Sequence, residues 1–345
     1  MFLGMHIGIH DSNISLYKDG KCYYSKYERV SGIGGKKHGP GNFEWMMDTL
    51  KSWGVDEPQK QIKHMVHCTA FYEHSEYSFE AAVDKMKLYK DDNVVFGGGS
   101  PTNPRKIVYS TDTSDMAATK TVFSTHNIFS SKTIDPLLWA NYKIIKEIKH
   151  NWNCKVEDVD HHKLHTYSTL RNYEQQAVMD GKGTGSRYAL FNDRVYDLGK
   201  DGWPIGSYMI PMGMKMGLSS GCEVNDSLDM PGKIMGLQSY GKVIEKYSEL
   251  FGVDLLNYPM SKFEGDAVFE NKDWLDFVAS AHNTLVNHMV KLFEDNFDKS
   301  KPIGYTGGVA LNVVINQRLK QEGFDIKIPP HCGDEGLSIG ALAYL

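Results

Sequence analysis

Apolar residues recur along this chain at two spacings, a strand-like period of two and a helix-like period near 3.6. Near the start, His6-Ile7-Gly8-Ile9-His10-Asp11 leads into Ile14-Ser15-Leu16-Tyr17, a Lys18-Asp19-Gly20 turn and Cys22-Tyr23-Tyr24-Ser25. About 170 residues on, Ala177-Val178-Met179-Asp180-Gly181-Lys182-Gly183 leads into Arg187-Tyr188-Ala189-Leu190-Phe191, an Asn192-Asp193 turn and Val195-Tyr196-Asp197. Each reads as a strand ending near glycine and aspartate, followed by a hairpin with turn chemistry at its tip. Such hairpins are common singly; their repetition suggests a duplicated α/β domain.

Between and after them the spacing turns helical. Phe43 to Trp53 places Phe43, Met46, Met47 and Leu50 on one side of a helix, Lys63 to Ala70 is a candidate strand, and Phe96 to Pro101 is a glycine- and proline-rich loop. Leu137 to Trp152 reads as a helix, with the His161 segment after it. Trp274 to Phe297 is a long amphipathic helix carrying Leu275, Val278, Leu285, Met289 and Leu292 toward a core. Ile303 to Tyr305 is a strand running into Thr306-Gly307-Gly308; a helix follows over Val309 to Gln321, stopped by Gly323. Asp325 to Ile328 is a last strand, and Leu337 to Leu345 a short closing helix. At 345 residues the chain exceeds the usual size of one core. We expect two domains, 1–170 and 171–345, the closing helix being free to return to the first.

Composition narrows the class. A hydrophobic content of 41% with 23% charged residues is that of an ordinary soluble protein. The net charge of −5 argues against a surface given over to nonspecific nucleic-acid binding, while leaving room for a local basic groove. Cys22, Cys68, Cys154, Cys222 and Cys332 show no C-x-x-C spacing and read as free thiols in a reducing compartment. Neither a signal-peptide pattern nor an apolar run of membrane-spanning length occurs, so we expect a cytoplasmic protein without membrane contact.

The chemistry concentrates at Asp160-His161-His162-Lys163-Leu164-His165. On a helix, His161 and His165 project from one face a turn apart, a spacing from which two imidazoles share one metal ion. A carboxylate from the distant Gly333-Asp334-Glu335-Gly336 segment would complete a two-His, one-carboxylate face with positions left for a ligand. With 14 histidines in the chain, a His-x-x-x-His pair taken alone is more often a surface coincidence. Gly307-Gly308 at a strand-to-helix junction, Gly181 and Gly183, and the Pro231 to Leu237 segment with Lys233 are three phosphate-facing candidates, each ambiguous by itself.

Their order is informative. Gly-x-His-Asp-Ser, His-His-x-x-His, Asp-Gly-x-Gly, Gly-Lys-x-Met-Gly-Leu-x-x-Tyr-Gly, Gly-Gly-Val-Ala-Leu-Asn and Gly-Asp-x-Gly follow one another from about His6 to Leu345. In this the chain resembles the O-carbamoyltransferases of the tobramycin, cephamycin and nodulation-factor type. The resemblance implies an α/β fold of two ribonuclease-H-like domains, the actin, sugar-kinase and Hsp70 ATPase architecture, with nucleotide in an interdomain cleft. It implies a reaction in which carbamoyl phosphate and ATP give carbamoyl adenylate, whose carbamoyl group passes to a substrate hydroxyl. His161, His165 and Asp334 then match metal ligands, with iron the first candidate ion. Gly307, Gly308 and Asn312 match a nucleotide-contacting segment, with Gly181, Gly183 and Lys233 as phosphate neighbours. His10 and Asp11 are the first candidates for the base, and Asp226 the second; Lys37 and His38 match a basic pair beside the acceptor.

Duller readings stand beside these. His10 would equally cap a strand, Asp11 stabilise a turn, Asp226 sit in a solvated loop, and Lys36-Lys37 be a solvated pair. The sequence also departs from the family's pattern. It ends at Leu345, 11 residues past Asp334, where relatives continue into a YrdC-like domain that makes the adenylate, so either a separate YrdC-like polypeptide is the expected partner or this chain handles ATP and carbamoyl phosphate differently. An acidic run near the acceptor is replaced by Tyr27-Glu28-Arg29-Val30 and a glycine-rich, basic stretch. That stretch would admit a bulky acceptor, of which a hydroxymethylated nucleobase in DNA is one. A threonylcarbamoyl-transfer protein acting on tRNA, an ATPase or kinase of the same fold, and a silent binding subunit are the competing readings.

Overall fold

The computed structural model describes residues 1–7, 11–31, 41–69, 144–145, 147–170, 172–180, 187–191, 194–197, 209–218, 223–248 and 265–345. The described chain forms two compact units, Met1–Arg171 with Asp334–Leu345, and Asn172–Gly333.

The first unit is built on a mixed sheet of five strands: β1 (Phe2–His6), β2 (Asn13–Lys18), β3 (Lys21–Lys26), β4 (His64–Thr69) and β5 (Lys155–Asp160). Their order is β3-β2-β1-β4-β5. The first three form an antiparallel meander, while β4 and β5 add in parallel to β1. Side chains alternate across the sheet. Leu3, Met5, Ile14, Leu16 and Met65 join Trp45, Met46 and Leu50 of helix α1 (Phe43–Ser52) and Ile144, Ile145 and Ile148 in one core. Val66, Cys68 and Val159 point the other way, against Leu164 of helix α2 (His161–Tyr167) and against Leu337 and Ala341 of helix α6 (Leu337–Tyr344).

Helix α6 lies close because its inner face is small. A Cβ on Gly4 would meet the Ser338 carbonyl oxygen at 2.1 Å, and one on Gly340 would meet that of Leu164 at 2.2 Å. The Ser15 and Ser338 hydroxyls pair at 2.7 Å across the same seam.

The second unit repeats the strand order. Its sheet, β10-β9-β6-β7-β8, comprises β6 (Gln175–Met179), β7 (Arg187–Phe191), β8 (Arg194–Asp197), β9 (Ile303–Thr306) and β10 (Ile326–Lys327). Again a three-strand antiparallel meander is extended in parallel by two later strands. The paired hairpins expected from sequence are therefore the leading strands of two sheets of one topology. Helix α4 (Lys272–Asn296) supplies Trp274, Phe277, Val278, Leu285, Met289 and Phe293 to a core with Tyr305, Ile315 and Leu319.

Two local expectations change. The helix expected from Val309 begins at Val313 (α5, Val313–Gln321), because residues 308–311 form a tighter 3₁₀ turn. Asn312 starts the helix proper by accepting the Val314 and Ile315 amides, both at 3.2 Å. The polar run at Glu223, for which a solvated loop is one of two readings of the sequence, opens helix α3 (Glu223–Leu237). The expected Phe96–Pro101 loop lies outside the described residues.

Candidate metal centre

Strand β5 ends at Asp160, whose side chain accepts the Lys163 amide at 2.9 Å and so fixes the start of α2 at His161. One turn separates His161 from His165, and their rings meet edge to face, centroids 4.8 Å apart. The two Nε2 atoms are 3.2 Å from each other. Asp334 arrives from the segment preceding α6 and sets Oδ1 3.2 Å from His161 Nε2 and 3.3 Å from His165 Nε2. Both imidazoles are buried, at 2% and 0% exposure.

These three atoms form a nearly equilateral triangle, and its size has a chemical meaning. Ligand atoms about 2.0–2.2 Å from one ion, at angles between right and tetrahedral, lie about 2.8–3.6 Å apart. Hydrogen bonding alone accounts for the arrangement less well. With Asp334 ionised, either both Nε2–H groups aim at Oδ1 and face each other as donors, or one Nε2 accepts from the other and then faces Oδ1 as a second acceptor. A divalent cation among the three removes that conflict, so the donor set fits one.

The position of Asp334 is imposed by the N-terminal hairpin. Asn13, fully buried at the start of β2, donates through Nδ2 to the Asp334 carbonyl at 2.9 Å and accepts the Ser338 amide at 3.0 Å. The Tyr24 hydroxyl donates to the Glu335 carbonyl at 2.9 Å. One amide side chain thus clamps both ends of the turn that presents the carboxylate. Sequence reasoning missed Asn13 and Tyr24; the signal was an asparagine opening a strand that carries Ile14 and Leu16, where this residue type is depleted.

The remaining candidates divide by location. Asp11 sits at φ 52°, nearly buried, with its carboxylate on the Lys26 ammonium, which also reaches Glu28 at 3.0 Å. Burial works to lower the Lys26 pKa, but Asp11 and Glu28 outweigh it and hold it well above the usual lysine value. Lys26 is thus a neighbour that the sequence reading did not pair with Asp11. His10, Lys37, His38, Gly181 and Gly183 lie outside the described residues. Asp226 belongs to the backbone of α3.

In the second unit, Lys233 donates to the Leu218 carbonyl at 2.9 Å. Gly307 has φ 94°, and a Cβ there would meet the Met179 carbonyl oxygen at 2.3 Å, so only glycine fits. Its amide donates to the Cys332 carbonyl at 2.7 Å, and the Gly308 amide to Asp180 Oδ1 at 3.1 Å. The turn expected to offer amides to a phosphate therefore already engages a carboxylate of its own chain. Asn312 is committed as well. Besides capping α5, it pairs through Nδ2 with His282 Nε2 at 3.0 Å, and burial pushes the His282 pKa down to about 4.

Comparison with known proteins bears on the C-terminal third. Residues 246–343 match the family model described as Carbamoyltransferase N-terminus. The match contains Gly307, Gly308, Asn312 and Asp334, and it agrees with the carbamoyltransferase resemblance drawn from the motifs. An uncharacterised protein of Methanocaldococcus jannaschii is 25% identical over 231 residues, 58% of this chain and 42% of its own length. This chain thus spans less than half of that curated relative.

Among solved structures, component A of the Acidaminococcus fermentans (R)-2-hydroxyglutaryl-CoA dehydratase is 12% identical, with a TM-score of 0.46 over 99% of this chain and 96% of that one. The activator of the Clostridium difficile 2-hydroxyisocaproyl-CoA dehydratase, solved with bound ADPNP, gives 12% and 0.46 over 99% and 93%. Full-length HypF in its phosphate- and nucleotide-bound form gives 12% and 0.43 over 99% and 46%. Similarity of this degree assigns no residue and no ligand. No described helix is long and apolar enough to cross a membrane.

Proposed function

We propose that this chain is an O-carbamoyltransferase that moves a carbamoyl group from carbamoyl adenylate, made from carbamoyl phosphate and ATP, to a substrate hydroxyl. The observation that carries the reading is the triangle of His161 Nε2, His165 Nε2 and Asp334 Oδ1, with edges of 3.2–3.3 Å, drawn from distant parts of the chain. The carbamoyltransferase match at residues 246–343, which includes Asp334, supports the type of group transferred. On this reading the two units are ribonuclease-H-like domains of the actin and sugar-kinase superfamily, and the like strand orders of the two sheets support that assignment.

His161, His165 and Asp334 would hold a divalent ion, iron being the first candidate. Such an ion supplies Lewis-acid neutralisation of nucleotide phosphate charge, which makes AMP a competent leaving group without a proton transfer. The chain's own part is to keep that site in order. Asn13 fixes the Asp334 turn, Asp160 fixes the start of α2, and burial of both imidazoles excludes water. In the transfer, the bond from carbamoyl carbon to the AMP oxygen breaks, a bond to the acceptor oxygen forms, and the acceptor proton goes to a base. For Asp11 to serve as that base, it must give up its contact with Lys26 as the acceptor arrives; His10 and Asp226 are the other assigned candidates.

The test is mass spectrometry of products after mixing the chain with ATP, carbamoyl phosphate and a panel of alcohols that includes hydroxymethylcytosine DNA. A carbamoylated alcohol with release of AMP, lost in His161→Ala, is the expected result. The absence of both products, in the presence and absence of an added YrdC-like polypeptide, overturns the assignment.

A further inference from the structure

A second group of metal-type donors meets the same helix start from within the sheet. His6 ends β1, Cys68 lies near the end of the parallel neighbour β4, and His161 opens α2. One donor atom from each lies within 4.8 Å of the other two. All three side chains are nearly fully buried, at 3%, 3% and 2% exposure. The His6 and His161 rings meet edge to face, with centroids 5.9 Å apart and planes at 78°. The Cys68 thiol is within hydrogen-bonding reach of His161. Around Cys68 the layer holds Val66, Val159, Leu164, Leu337 and Ala341, with the Asp160 and Asp334 carboxylates near enough to act on the thiol.

Two imidazoles and a thiol are an expensive set to bury in a layer of aliphatic side chains. Nothing in the carbamoyl-transfer scheme uses His6 or Cys68. The set is soft, nitrogen and sulfur without carboxylate, which favours a thiophilic ion over magnesium or calcium. Ligands of one such ion sit about 3–4 Å apart, so binding draws these donors inward by about an ångström.

We propose that His6, Cys68 and His161 form a second metal position for a thiophilic divalent ion such as zinc, sharing His161 with the first. Binding there releases the Cys68 thiol proton to solvent, the thiolate being the ligand; with both positions filled, His161 also gives up its ring N–H proton and bridges the two ions as an imidazolate through Nδ1 and Nε2. The inference rests on the proposed function only through the shared His161, and the two fail separately. The probe is cobalt(II) added to the metal-free full chain, read by its near-ultraviolet thiolate-to-cobalt charge-transfer band. The expected result is a band that falls at least tenfold in Cys68→Ala and in His6→Asn, both checked for folding by circular dichroism. The band persists in Asp334→Asn, which disables only the first position. No band in the wild-type chain, or a band unchanged in Cys68→Ala and so owed to the other cysteines, overturns the proposal.

Discussion

Asn13 offers the sharpest separation between a site held by the fold and one assembled by chance. Replacing it with alanine removes the donor to the Asp334 carbonyl (2.9 Å), the acceptor of the Ser338 amide (3.0 Å) and the donor to the Asp11 carbonyl (2.5 Å). Each buried partner left behind costs about 1–3 kcal/mol, and because the three share one side chain the sum is less than additive, about 3–5 kcal/mol. Against a typical total of about 5–15 kcal/mol this is a large fraction, and it falls on the seam between β2 and α6. Hydrogen exchange read by mass spectrometry reports it locally. Amides of residues 337–344 should exchange at least about 100-fold faster in Asn13→Ala, while those of α4 in the second unit stay as they were. A change of less than threefold over 337–344, or equal acceleration across both units, would refute the claim that Asn13 clamps the Asp334 turn.

Three further outcomes follow from the same geometry. Gly340→Ala drives a methyl into the Leu164 carbonyl, so α6 must shift, and denaturant unfolding should show a loss of about 1–3 kcal/mol; an unchanged midpoint contradicts the close approach. His282 is buried with a pKa of about 4, below its unfolded value of about 6.5. Its stabilising contribution is therefore complete above pH 6.5 and is lost as pH falls toward 4, by up to about 3 kcal/mol. His282→Gln should flatten that part of the stability–pH curve of the full chain, and an identical curve would rule out His282 as its source. Asn312→Ala removes both the α5 cap and the His282 partner, and should lower stability by about 1–2 kcal/mol or more; a neutral thermal melt would argue that its side chain is not so committed.

Much of this architecture was legible because it is local. A hairpin with an Asp-Gly tip, a helix read from Phe43, Met46, Met47 and Leu50, and a histidine pair four residues apart each depend on neighbours in sequence. What the sequence hid depends on partners far along the chain. Asn13 looks like a strand irregularity until the Asp334 turn is placed beside it, and Lys26 is only one charge among many until it meets Asp11. Helix α6 is apolar on nearly every side, so its spacing does not reveal which face meets the sheet; Ser338 and Ala341 meet β1 and β2, while Gly340 faces α2. The start of α5 was misjudged because apolar spacing runs on through Val309, whereas the cap at Asn312 sets the true beginning.

The central claim is that His161, His165 and Asp334 hold one cation. Elemental analysis of the full chain, equilibrated with iron(II) or zinc and then freed of loose metal, tests it most directly. His165→Ala and Asp334→Asn, each folded by circular dichroism, should each retain one equivalent less than the wild-type chain. Metal content unchanged in both variants would contradict the account.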